Sequence, residues 1–112
     1  MENKSITKAL YIVVNAGFSD DVMEIARAAG AKGATIMNAR GEGAIHKSFM
    51  GITVDSEKEI LLILIDDETA QKIMDAVKEK AGVNSPAKGV CFTTAVERTT
   101  LINDFPSQEE AE

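Results

Sequence analysis

The chain has 112 residues, 45% of them hydrophobic and 27% charged, which suits one compact domain and argues against a wholly disordered chain. Its longest unbroken apolar run, Ile60 to Ile65, is far too short to span a bilayer. A single cysteine, Cys91, and a single histidine, His46, exclude an internal disulfide and a Cys/His zinc cluster within one chain, and a formal charge of −6 argues against a broad grip on nucleic acid or anionic lipid.

The start, Met1-Glu2-Asn3-Lys4, is polar and leads into a short apolar segment without the pattern of a signal peptide, so a cytoplasmic location is expected. Ala9 to Val14 is rich in β-branched residues and stops at the turn signal Asn15-Ala16-Gly17, which predicts a first strand. Ser19 before Asp20-Asp21 predicts a capped helix start, with Val22, Ile25, Ala26 and Ala29 on one face and Gly30 as its C-terminal stop. Ala34 to Ala39 reads as a second strand, and Arg40 to Asp55 as a long connection in which Phe49 to Val54 is a candidate short edge strand. Glu59 to Ile65 is nearly all apolar, the pattern of a central strand. Asp66-Asp67 opens a second helix with Ala70, Ile73, Met74, Val77 and Ala81 at helical spacing, closed by Gly82. A loop with Pro86 leads to a fourth strand over Val90 to Glu97, with Thr99 to Ile102 a possible extension. The expected domain spans residues 1–103, with a loop at about 40–57, and the acidic segment 104–112 is expected to be a mobile tail.

Two β-α-β units in sequence, each helix opened by an acidic pair and closed by a glycine, give the split pattern of an α+β, ferredoxin-like βαββαβ sandwich: a four-stranded antiparallel sheet with two helices on one face. Two helices cover only one face of such a sheet. The other, apolar on the third long strand, is expected to meet further copies of the chain.

Few residues carry chemistry. In Arg40-Gly41-Glu42-Gly43 the glycines permit amides to approach an anion, although a loop base needing unusual backbone angles explains them as well. Lys88-Gly89 offers a lysine to a phosphate, or simply a solvated charge. His46 beside Lys47 has no orienting partner visible in the sequence, and Cys91 is best explained as a buried, inert thiol. The acidic pairs Asp20-Asp21 and Asp66-Asp67 are explained as helix caps, and Met23, Met37, Met50 and Met74 as core or interface filler. No catalytic residue and no metal site is expected.

In order along the chain, Asp20-Asp21-Val22, Gly33-Ala34-Thr35, Arg40-Gly41-Glu42-Gly43, Leu64-Ile65-Asp66-Asp67, Lys88-Gly89-Val90-Cys91-Phe92 and Val96-Glu97-Arg98 resemble the PII signalling proteins over about residues 8 to 102. The resemblance implies a non-enzymatic homotrimer of ferredoxin-like subunits that binds an adenine nucleotide (AMP, ADP or ATP) in clefts between subunits. It implies further that the protein regulates a target, whether transporter, enzyme or regulator, through a loop. It assigns nucleotide contacts to Gly33, Ala34, Thr35, Gly41, Gly43, Ile63 and Gly89, with Arg40, Glu42, Lys88 and Arg98 as further nucleotide-binding candidates, and effector-loop roles to Ile45, His46, Lys47 and Phe49. No obligatory cofactor follows, and magnesium is left open.

The sequence also departs from the family pattern. Val90, Leu101 and Asn103 stand where the resemblance would place basic residues, so a ligand with fewer phosphates, or charge supplied by Lys88, Arg98, Arg40 or Lys47, is expected. Ile45 replaces a glutamine and the modifiable tyrosine is absent, which points to a divergent member rather than the uridylylated, 2-oxoglutarate-sensing nitrogen regulator. The competing expectation keeps the trimeric fold in a module similar to the CutA proteins, binding a metal, another metabolite or only a protein partner. Neither reading includes nucleic acid or membrane insertion.

Overall fold

The computed structural model describes residues 5–42, 48–49, 52–53 and 56–101, with side chains described from 5 to 42 and from 57 to 101. In chain order the elements are β1 (Lys8–Asn15), α1 (Ser19–Ala28), β2 (Thr35–Gly41), β3 (Ser48–Phe49), β4 (Ile52–Thr53), β5 (Ser56–Ile65), α2 (Asp67–Ala81) and β6 (Val90–Ala95). The four long strands form one antiparallel sheet in the order β2-β5-β1-β6, which is the expected ferredoxin-like arrangement.

Alternation along the two central strands builds the core. Leu10, Ile12 and Val14 of β1 and Leu61, Ile63 and Ile65 of β5 point to the helix side, where Val22, Met23 and Ala26 of α1 and Ala70, Ile73 and Val77 of α2 cover them. Each helix thus buries one stripe at i, i+3, i+4 spacing, while its charged residues face water. β2 lies at the sheet edge away from this cover. Its Ile36 pairs with Leu61 on the helix side yet is 44% exposed.

The helix ends follow different rules. Asp66 caps α2 as expected, its carboxylate accepting from the Thr69 N–H at 2.9 Å. α1 ends in a Schellman turn: the Ala31 N–H donates to the Ala26 carbonyl at 2.9 Å and the Gly30 N–H to the Arg27 carbonyl at 3.0 Å. Gly30 takes φ +120° there, and a Cβ would lie 2.9 Å from Cγ2 of Thr69.

The start of α1 corrects the sequence reading. Ser19 is a buried first-turn residue, the N-cap is Phe18 and no local side chain caps the helix. Glu59 of β5 takes over this task, its Oε1 accepting from the Gly17 N–H at 2.8 Å and the Ser19 N–H at 3.4 Å. A carboxylate suits both the orphan amides and the positive end of the helix dipole. Glu59→Ala is expected to lower stability by about 1 kcal/mol, as for a lost N-cap, read as a lower urea midpoint with an unchanged slope.

Two further expectations change. The segment expected as one edge strand over 49–54 contributes instead to a separate two-stranded ribbon, with Ser48 opposite Thr53 and Phe49 opposite Ile52. The fourth long strand ends at Ala95, and Val96 to Leu101 do not extend it. The Val96 N–H still donates to the Thr7 carbonyl at 3.0 Å, one further bond in the register of the β1–β6 pair. Ile102 and the segment 104–112 expected to be a tail lie outside the described residues.

Candidate functional site

The sheet face opposite the helices is apolar across its whole width. Paired residues of antiparallel strands share a face, so Thr35, Leu62, Tyr11 and Phe92 form one row, and Met37, Ile60, Val13 and Val90 the next. Tyr11 and Phe92 stack with ring centroids 4.9 Å apart and planes 10° from parallel. Phe92 is 45% and Val90 49% exposed on this face. None of the described residues covers it.

The residues expected at a nucleotide site separate into two groups. Gly33, Ala34 and Thr35 sit where β2 begins, and Arg98 follows β6 at the same end of the sheet. Arg40, Gly41 and Glu42 sit where β2 ends, at the end that also holds Lys88 and Gly89 before β6. Six residue steps of strand, roughly 20 Å, separate Thr35 from Gly41. One subunit does not bring the two groups together.

Local geometry distinguishes the members. Gly33, Ala34, Thr35, Arg40 and Glu42 are exposed, and Gly41 is half-buried under Lys58. Ile63 is 1% exposed and points into the core, which leaves its backbone as the part nearest any ligand. Lys88 is exposed and holds the left-handed φ of +48°. Gly89 is buried, its N–H already donating to the Ala81 carbonyl at 2.7 Å, and the Lys88 N–H donates to the Ser85 carbonyl at 3.1 Å. Both amides are therefore spent on the turn, and this segment offers an anion the Lys88 ammonium rather than a cradle of N–H groups. Gly43, Ile45, His46, Lys47, Met50 and Asn103 lie outside the described residues, as does the side chain of Phe49.

Among the other residues singled out, Cys91 is half-buried against the core and burial pushes its thiol up to about 11, far from the thiolate a nucleophile requires. Asp20 and Asp21 lie exposed in the first turn of α1. Met23 is buried in the core, Met74 packs against it, and Met37 lies on the open face. Among the described residues no group of three His, Cys, Asp or Glu side chains gathers as a metal site. Nor is any described helix long and apolar enough to cross a membrane.

Three residues that sequence reading passed over organise the β2-terminal end. Lys58 and Glu59 are the charged start of an otherwise apolar strand, and Asn15 was legible only as a turn former. Asn15 accepts at Oδ1 from the Lys58 ammonium at 2.5 Å and donates through Nδ2 to the Pro86 carbonyl at 2.9 Å.

Comparison with known proteins places this geometry. Three solved structures share the fold at low sequence identity. A PII-like signalling protein from Thermus thermophilus matches with a TM-score of 0.62 at 23% identity, over 80% of this chain and 86% of its own. CPII, a nitrogen regulatory PII-like protein from Thiomonas intermedia solved with ADP, AMP and bicarbonate, matches at 0.63 and 17%, over 86% and 96%. The B. subtilis GlnK–ATP complex matches at 0.63 and 15%, over 81% and 83%. No curated protein matches the sequence. The model of the nitrogen regulatory protein P-II family matches residues 7–104, nearly the whole sheet-and-helix unit, and the chain therefore belongs to the P-II family.

Proposed function

We propose that the protein is a non-enzymatic, cytoplasmic homotrimeric sensor, in which an adenine nucleotide binds between subunits and sets the affinity of the segment around 40–57 for a target protein. The domain is 1–103 in this reading, with 104–112 an acidic appendage. The observation that carries it is the division of the candidate residues between opposite ends of β2. A site assembled from both groups needs the Thr35 end of one subunit beside the Gly41 end of the next, a head-to-tail contact of the kind that closes into a ring. The bare apolar sheet face supplies the surface for that ring to close on.

At the first end the backbone of Gly33, Ala34 and Ile63 and the side chain of Thr35 address the base. At the other, Arg40, Gly41, Glu42 and Gly43 flank the phosphates, with Lys88 as a point charge and Gly89 shaping the turn, while Arg98 is a point charge at the Thr35 end. Val90 and Leu101 are apolar and exposed, so the charge available to a triphosphate is small and AMP or ADP is favoured. Each absent charge-assisted hydrogen bond removes about 1.5–3 kcal/mol from a polyphosphate. Ile45, His46, Lys47 and Phe49 belong to the responding loop, whose ordered form the ligand must contact better than its other forms. The nucleotides in the Thiomonas and B. subtilis structures agree with this choice of ligand class.

Calorimetric titration with AMP, ADP and ATP, with and without magnesium, alongside the mass in solution, tests the reading. One nucleotide per subunit of a trimer is expected. A folded trimer that ignores millimolar nucleotide overturns it and favours the CutA-like module. Gly41→Val is expected to weaken binding by at least about tenfold while the protein stays folded. The added Cβ meets the flexible end of Lys58, 2.9 Å from its Cε, which can swing aside.

A further inference from the structure

Gly41 and the turn before β6 stand at opposite edges of the sheet, with β5 and β1 between them. Three strand spacings, about 14 Å, separate those edges. A continuous set of contacts crosses that width. The stem of Lys58 lies over Gly41, with Cε and Cγ 2.9 and 3.3 Å from the position of a Cβ there. Its ammonium donates to Asn15 Oδ1 at 2.5 Å. Asn15 in turn donates through Nδ2 to the Pro86 carbonyl at 2.9 Å and through its backbone N–H to the Ala87 carbonyl at 2.8 Å. The next residue, Lys88, holds φ +48°, a conformation that a non-glycine residue keeps only while its neighbours hold it.

We infer that Lys58 and Asn15 are positioning residues that join the base of the β2–β5 loop to the turn carrying Lys88, so that a change at one edge of the sheet is felt at the other within a single subunit. The chemistry at Asn15 fits that task. An ammonium has no acceptor and a carbonyl has no donor, so the group between them must both accept and donate, as the Asn15 amide does through Oδ1 and Nδ2 in one fixed orientation. Asp keeps only the acceptor. Removing either arm breaks the side-chain route between the two edges without touching the core, and leaves only the backbone bond from the Asn15 N–H to the Ala87 carbonyl. As a statement about regulation the inference rests on the nucleotide-sensor reading, but the connection itself exists without ligand and is measured without it.

The experiment is amide hydrogen exchange, resolved by residue, on the ligand-free protein and on Lys58→Met, Asn15→Asp and Lys58→Arg. Met keeps the stem over Gly41 and removes the ammonium. The Lys88 and Gly89 amides, bonded to the Ser85 and Ala81 carbonyls, are expected to exchange at least about threefold faster in Lys58→Met and Asn15→Asp. Lys58→Arg is expected to stay near the wild-type rate, and Val22, bonded to the Phe18 carbonyl in α1, to be unchanged in all. Unchanged exchange at Lys88 and Gly89 in Lys58→Met overturns the inference, as does acceleration that spreads equally to Val22. Titration of the same samples with AMP, ADP and ATP separates the two claims. A wild type that binds none of them refutes the sensor reading and leaves the ligand-free result to decide the connection.

Discussion

Phe92→Asp is expected to convert the proposed trimer into monomers at micromolar concentration while leaving the subunit folded. Phe92 lies on the sheet face opposite the helices, stacked on Tyr11, so it takes no part in the core that Leu10, Ile12, Leu61 and Ile63 form with α1 and α2. Burying the 45% of Phe92 still exposed contributes roughly 1 kcal/mol per subunit, and an aspartate forced into the same place adds a desolvation penalty of several kcal/mol. Together these exceed the ~4 kcal/mol that shifts an association constant a thousandfold. Phe92→Leu, which keeps an apolar surface, is expected to remain associated. Sedimentation of the three proteins checks this, and an Asp variant with wild-type mass would show that copies meet elsewhere.

Gly89→Val is expected to destabilise the subunit by about 3 kcal/mol. A Cβ at residue 89 would lie 2.5 Å from the Ala81 carbonyl oxygen and 3.3 Å from Cγ1 of Val77, and neither the end of α2 nor its buried face has room to give way. The cost combines overpacking of about 1–3 kcal/mol with loss of the Gly89–Ala81 hydrogen bond, about 1 kcal/mol. Urea denaturation at fixed subunit concentration measures it. A variant of unchanged stability that merely bound nucleotide less well would return Gly89 to the direct role the resemblance assigns it.

These two residues also show where the sequence was informative. Alternation at Val90, Phe92 and Thr94 placed Phe92 on one face of a strand, and the shortage of helices left that face without cover. Periodicity is local, and so it is legible. Gly89 carried no such signal: its neighbour is the last turn of α2, and a close approach between a loop and a helix end leaves no pattern in either. The cap of α1 was misplaced for a related reason. Ser19 stood where a local cap belongs, but the carboxylate that serves comes from Glu59, about forty residues on, through strand pairing. The ribbon at Ser48–Phe49 and Ile52–Thr53 was too short for alternation to separate from an edge strand. For the candidate site, the glycines and basic residues were legible as a set, yet their division between two ends of the sheet follows from the strand directions alone.

The placement of β1 has a consequence for how the protein is made. β1, which leaves the ribosome before the other strands of this sheet, lies between β5 and β6, the last two long strands to follow it. Its partners are therefore 43 to 87 positions away in sequence, and the loop-closure entropy of such distant pairings falls due before any of the sheet's stabilisation arrives. A nascent chain that has not yet released Val90 to Ala95 leaves β1 with a bare hydrogen-bonding edge beside Val13 and Tyr11. That is a template for pairing with another chain, and the interval between β5 and β6 in translation is when this subunit is most exposed to misassembly.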